Sequence, residues 1–157
     1  MNFFKPKDYS IYSPVKGNVL AMSDVKDEVF SQGMMGPGIA VIPSSEMISA
    51  PFDGQVKFVF PTKHAIGLVS DTGVELLIHI GIDTVNLEGK PFEVMVKDRQ
   101  KIKKGQPLVK VDLAMLRLLE VDPTVVLVLT SAATLNVMPS QPKPVDAGEL
   151  IISITKA

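Results

Sequence analysis

The only two histidines of the chain sit at the edges of short apolar runs, and no cysteine accompanies them. His64 lies in Phe60-Pro-Thr-Lys-His-Ala-Ile-Gly and His79 in Glu75-Leu-Leu-Ile-His-Ile-Gly-Ile-Asp-Thr-Val. A neutral imidazole is a good nucleophile near neutral pH, because its ordinary pKa is about 6.5. Two imidazoles side by side suit phosphoryl transfer: one nitrogen attacks phosphorus while the second ring donates a hydrogen bond to the phosphoryl oxygens. That reaction asks mainly for positioning and charge stabilisation. Thr62, two residues before His64, can hydrogen-bond the far nitrogen of that ring and fix its tautomer, or it is a plain strand-entry residue. Asp83, four after His79, can orient a ring or flank the phosphoryl site. The chain has no Gly-rich phosphate loop ending in Gly-Lys-Ser/Thr, so direct use of ATP is not expected. The donor should be another protein or a small phosphorylated molecule.

The elements that must position the rings are two strands of one hairpin. Ser70-Asp71-Thr72-Gly73 is a turn signal between Ala65–Val69 and Val74–Ile80. A two-residue loop pairs Ser70 with Gly73 and, counting outward, His64 with His79. Directly opposed residues have Cβ atoms about 4.5–5.5 Å apart. Gly73 equally suits a type I turn followed by a bulge, which slips the register by one residue and makes the rings diagonal neighbours. Either register brings them close; common facing in the second needs a twist at the strand end.

Short β-rich runs separated by glycine and proline fill the rest: 39–42, 56–60, 92–96, 107–111, 125–129 and 150–155. Such spacing predicts an all-β antiparallel sandwich or barrel, with one short helix or helical turn on the outside at Asp112-Leu-Ala-Met-Leu-Arg-Leu-Leu-Glu, capped by Asp112. Two pairs of segments repeat in the same order. Ser13-Pro-Val-Lys-Gly-Asn-Val matches Ala50-Pro-Phe-Asp-Gly-Gln-Val, and Lys104-Gly-Gln-Pro-Leu-Val-Lys-Val resembles Ala147-Gly-Glu-Leu-Ile-Ile-Ser-Ile. These predict a sandwich built by internal duplication. Val29, Phe30, Met34 and Met35 lie in a glycine-punctuated stretch that suits an adaptable protein-docking surface or tucks into the core.

The 157 residues suffice for one domain with its own core, and residues 1–9 read as a flexible N-terminal segment. A net charge of −1 gives no reason to expect nucleic acid or an anionic membrane as partner. Lack of cysteine excludes disulfides and thiolate metal sites and fits a reducing cytoplasm. The N-terminus lacks the long apolar region of a signal peptide, and the most apolar run, Val125–Leu129, is too short to span a bilayer. The expectation is a cytoplasmic, monomeric protein with no membrane insertion.

The sequence closely resembles the glucose-family enzyme IIA domain of the bacterial phosphoenolpyruvate:sugar phosphotransferase system. The strings that carry the likeness are Ser13-Pro-Val-Lys-Gly, Asp27-Glu-Val-Phe, Met35-Gly-Pro-Gly-Ile-Ala, Ala50-Pro-Phe-Asp-Gly, Thr62-Lys-His-Ala-Ile-Gly, Val74-Glu-Leu-Leu-Ile-His-Ile-Gly-Ile-Asp-Thr-Val and Lys103-Lys-Gly-Gln-Pro-Leu. The resemblance spans about Ser10 to Thr130 and implies a β-sandwich of duplicated hybrid-motif type. It implies a phosphocarrier, in which His79 accepts a phosphoryl group from the carrier HPr and passes it to a sugar-specific IIB domain of a membrane permease. By the same resemblance His64 assists, Thr62 is its hydrogen-bond partner, and Asp27 and Asp83 flank the site. Val29, Phe30, Met34, Met35, Phe60 and Val85 fall on the apolar docking face, and no cofactor is required. A regulatory binding role of the unphosphorylated form is also within the family's range. The chain departs from the family at Lys97-Asp-Arg-Gln, at Ser131 and in the proline-rich tail from Ala132. With no IIB or IIC segment in the sequence, a freestanding IIA protein is expected.

Three rivals compete. Lysostaphin-type zinc peptidases resemble this architecture and use a His-x-x-x-Asp string, which His79 and Asp83 fit, but such a site needs more histidines than this chain has. A biotinyl or lipoyl carrier shares the Ala-Pro-x-x-Gly turn but lacks the modified lysine's context. A purely regulatory binder would keep its function without His79.

Overall fold

A computed structural model describes residues 8–157, so the expectation for residues 1–9 falls mostly outside the described residues. Asp8, at their edge, accepts a hydrogen bond from the Tyr12 hydroxyl at 2.7 Å. The chain forms β1 (Ile11–Tyr12), β2 (Gly17–Ala21), a 3-10 turn at Met22–Asp24, helix α1 (Glu28–Ser31), β3 (Gly38–Pro43), β4 (Met47–Ser49), β5 (Gly54–Val59), β6 (Ala65–Ser70) and β7 (Glu75–Ile80). After a second 3-10 turn at Thr84–Leu87 come β8 (Phe92–Val94), β9 (Lys101–Ile102), β10 (Pro107–Val111), helix α2 (Leu113–Leu118), β11 (Val125–Leu129), β12 (Leu135–Pro139), β13 (Pro144–Val145) and β14 (Leu150–Lys156). All pairings are antiparallel. One large sheet has the order β13-β2-β3-β11-β7-β6-β5-β9, and two three-stranded sheets, β1-β14-β12 and β4-β10-β8, complete the sandwich.

The expected duplication is visible in the backbone hydrogen bonds. Tyr12 N–H donates to the Pro51 carbonyl, and the matching Ser49 N–H donates to Pro14. Gly148 donates to Ser13 as Gly105 donates to Ala50, and Val19 donates to Lys143 as Val56 donates to Gln100. The repeated glycines have one cause: a Cβ on Gly17 would lie 2.0 Å from the Ile42 carbonyl oxygen, and one on Gly54 2.1 Å from that of Val69. Each opens a strand pressed against its hairpin partner. Gly54→Ala should therefore destabilise by about 1–3 kcal/mol, read as a lower midpoint in urea with an unchanged slope.

The pseudo-dyad runs between the two central strands, β7 and β11. Both are covered on both faces. Val125, Leu127 and Leu129 of β11 and Leu76, Ile78 and Ile80 of β7 point into the main core. Val126, Val128 and Leu77 point the other way, into a second small cluster with Val25, Phe30, Ala40, Ala65 and Ile82. Period-two alternation sends His79 to that second face. Pairing of Val126 with His79 and of Val128 with Leu77 makes Val128 the dyad counterpart of His79. The imidazole thus occurs on only one of the two halves.

Some elements differ from expectation. Asp112 caps α2 by accepting from Met115 N–H at 2.9 Å, and the helix is not wholly external, since Leu116 is fully buried while Leu118 is exposed. The stretch with Phe30 contains helix α1, too short to show a period. The proline-rich tail packs: β12 pairs with β14 from Leu135↔Lys156 to Pro139↔Ile152.

Candidate functional site

The hairpin takes the slipped register. His79 pairs with Ala65, and Ile80 N–H donates to the His64 carbonyl at 2.7 Å; His64 and His79 are not directly opposed. The turn explains this. Gly73 N–H and the Ser70 carbonyl close it at 2.9 Å, Ser70 N–H then donates to Val74, and Gly73 has φ +91°. That is a type I turn with a glycine bulge, favoured because the bulge accommodates the strand twist.

His64 reaches its neighbour because it lies just outside β6. Lys63 is left-handed at φ 61°, its N–H donates to Phe60, and Phe60 N–H donates to Ala65. This tight turn releases His64 from strand alternation. Its ring comes to 4.9 Å from that of His79, centroid to centroid, at 79°. Thr62 Oγ1 lies 2.6 Å from His64 Nδ1. His64 is buried and His79 half-buried. Among the described residues, the buried side-chain polar atom without a partner is His79 Nδ1.

The walls are aromatic. Phe30 packs edge-on to His79 at 5.0 Å and Phe60 edge-on to His64 at 5.3 Å. The small residues Ala40 and Ala65 beneath leave room for Phe30 on the sheet. Asp27 caps α1 by accepting from Val29 N–H at 2.9 Å, which fixes the helix that carries Phe30. Phe30 is buried and forms a wall of the site, whereas Val29, Met34, Met35 and Val85 are exposed. Asp83 is exposed and left-handed at φ 58°. Sequence reasoning missed Phe58, exposed and 5.4 Å from Phe60. A bulge in β5 after Val56 turns it over Gly67, where a Cβ would collide with its ring at 2.5 Å. The signal was Gly67 itself, a glycine inside an apolar strand.

Burial, and then the neighbouring His79, push the His64 pKa below its ordinary value. Burial also lowers His79, opposed by the nearby Gly81 backbone carbonyl and by the charges of Asp27 and Asp83. Both rings are therefore neutral at pH 7, the nucleophilic form. Unfolded histidines protonate near pH 6.5, so the folded state gives up protons that the unfolded state binds. The stability from these two sites is fully present above that pH and declines as pH falls through it toward the folded values. Urea titrations at pH 7.5 and 5.5 should show it, and His64→Gln should flatten part of the slope. Among the described residues, no cluster of three metal-ligating side chains occurs, so the zinc-peptidase reading finds no ligand set.

The two imidazoles, one with its Nδ1 2.6 Å from a threonine hydroxyl, lie side by side on an aromatic and apolar face of a duplicated β-sandwich. A family model for the phosphoenolpyruvate-dependent sugar phosphotransferase system, EIIA 1, matches residues 9–135. The glucoside-specific EIICBA component of Staphylococcus carnosus is 45% identical over 144 residues, 92% of this chain and 21% of that protein. The glucose-specific EIICBA component of the same organism is 59% identical over 103 residues, 66% of this chain and 15% of that protein. The glucose permease IIA from Mycoplasma capricolum superposes with a TM-score of 0.85 at 34% identity, covering 97% of this chain and 98% of that one. The chain belongs to the EIIA 1 family of the sugar phosphotransferase system. It spans about a fifth or less of the length of these curated EIICBA relatives.

Proposed function

We propose that His79 is the phosphoryl-accepting residue, taking the group from the phosphohistidine of HPr and passing it to a sugar-specific IIB domain in the cytoplasm. The observation that carries this reading is the 4.9 Å approach of the two rings, with Thr62 Oγ1 on His64 Nδ1. The Nε2 lone pair of His79 attacks phosphorus. The new P–N bond forms as the donor's P–N bond breaks, and the donor imidazole leaves with the electron pair. The Thr62 hydroxyl donates to His64 Nδ1, which puts the proton of that neutral ring on Nε2, where it can hydrogen-bond a phosphoryl oxygen. Asp27 and Asp83 have no positive charge to offer the phosphoryl group; their role is to bias the His79 ring and to meet the partner. Val29, Met34, Met35, Val85, Phe58 and Phe60 provide the apolar contact for both partners. The name EIICBA of the relatives supports IIB as recipient, since in them A, B and C parts share one chain.

Thr62→Val should slow transfer about tenfold, the worth of one hydrogen bond, without removing label uptake. Substituting Met34, which is 71% exposed, by Lys should raise the half-saturating HPr concentration and leave the maximal rate near wild type. The test of the reading is labelled phosphoenolpyruvate with enzyme I and HPr, followed by addition of a IIB domain. Acid-labile label should appear on this chain and leave it when IIB is added; no label on the wild-type chain would overturn the proposal.

A further inference from the structure

Five of the chain's 16 basic residues fall in Lys97-Asp-Arg-Gln-Lys-Ile-Lys-Lys, where Asp98 is the one acid, although the net charge of the whole chain is −1. The chain departs from its family here, and the transfer chemistry at His79 makes no use of the stretch. Lys104 is accounted for: its Nζ lies 3.5 Å from the centre of the Tyr12 ring, in a pocket shared with Asp8, Asp53 and Asp71. Asp98 is committed too, accepting from Val59 N–H at 2.8 Å. Lys97, Arg99, Lys101 and Lys103 are exposed, and none is in an ion pair among the described residues.

The loop holds these cations in a fixed shape. Gln100 closes it, accepting from Lys97 N–H through Oε1 and donating its own N–H to the Lys97 carbonyl, both at 3.1 Å. Arg99 N–H donates to the Val56 carbonyl, and the Arg99 carbonyl accepts from Gln55 Nε2, both at 2.8 Å. Arg99 is left-handed at φ 70°, a conformation that glycine adopts freely and a side chain strains. Strain kept at an exposed cation points to a use for the charge. Charge on the edge strand β9 guards it against pairing with another sheet, which accounts for Lys101 and not for Arg99. The register places the patch: Lys101 pairs with Gln55, Gln55 with Val69 and Val69 with Glu75. Glu75 shares the His79 face of β7. Three strand spacings across and four residues along put Lys101 about 20 Å from His79. A partner centred on His79 with a footprint of about 800 Å² extends about 16 Å. The cations therefore meet its rim, where charge governs the rate of encounter.

We infer that Lys97, Arg99, Lys101 and Lys103 form an electrostatic rim that steers an acidic edge of HPr onto the His64–His79 face. The inference rests on the reading of His79 as acceptor from HPr. HPr is favoured over IIB because it is a separate protein on that reading. In the EIICBA relatives the B part shares a chain with A, and a linked partner needs no steering.

The test is single-turnover transfer from phospho-HPr across ionic strength. Combining Lys97→Gln, Arg99→Gly, Lys101→Gln and Lys103→Gln should lower the second-order rate about tenfold at about 10 mM salt and less than about twofold at about 0.5 M. The maximal rate at saturating HPr should stay at wild type. Arg99→Gly alone should keep the urea midpoint at or above wild type while losing part of the low-salt rate, and Arg99→Lys should hold that rate. Carbodiimide should couple Lys97, Lys101 or Lys103 to carboxylates of HPr. A combined variant with the wild-type rate at low salt, or with the same loss at both salts, overturns the inference. So does a loss confined to onward transfer to IIB. Release of the chain from phosphatidylglycerol vesicles by the four substitutions, with transfer from HPr untouched, would assign the patch to a membrane surface and overturn it as well. A wild-type chain that takes no label would sink the His79 assignment separately.

Discussion

Replacing His79 with Gln is expected to abolish phosphoryl uptake outright. Glutamine fits the half-buried site between Phe30 and Val126 and can mimic one imidazole hydrogen bond, but its amide has no nucleophilic lone pair. On the proposed reading His64 is no alternative nucleophile, because its Nδ1 is engaged by Thr62 at 2.6 Å and its Nε2 carries the proton. The effect is therefore all-or-none, unlike the graded losses expected at the docking face. Uptake of radiolabel from phosphoenolpyruvate through enzyme I and HPr measures it. Circular dichroism and the urea midpoint check that the variant is folded. A variant that still accepts label at the wild-type rate would place the nucleophile elsewhere.

The second large effect belongs to His64. In the proposed mechanism its Nε2–H donates to the phosphoryl group, and removing one such preorganised donor costs about 10²–10³ in rate. His64→Ala should fall by that factor in transfer while retaining slow labelling of His79. Because Thr62 Oγ1 lies on His64 Nδ1, adding Thr62→Val to His64→Ala should change the rate little if Thr62 acts only through that ring. Non-additivity of this kind is the signature of residues in one hydrogen-bonded unit. Additive losses in the double variant would mean that Thr62 has an independent role. Stopped transfer assays over a range of HPr concentrations measure both terms.

Much of this site could be read from the chain because the strands around it are short and their turns carry strong signals. Ser70-Asp71-Thr72-Gly73 announced the hairpin, and matched Pro-x-x-Gly turns announced the duplication. The register could not be read, because a glycine at the end of the turn is compatible with two loop geometries that differ by one residue. Proximity of the rings survived the slip only because Lys63 adopts a left-handed conformation that frees His64 from β6. Such conformations depend on packing more than on residue type. Helix α1 spans four residues, Glu28–Ser31, too few to leave a periodic trace. Phe58 escaped notice because a bulge in β5 changes the face on which it lies.

The central claim is the inequality of the two histidines, one carrying the phosphoryl group and the other holding it. Fragmentation mass spectrometry of the chain, phosphorylated through enzyme I and HPr and kept at alkaline pH, tests it most directly. The expected result is one added phosphoryl group per chain, mapped to His79. A phosphoryl group mapped to His64, or shared between the two rings, would contradict the account.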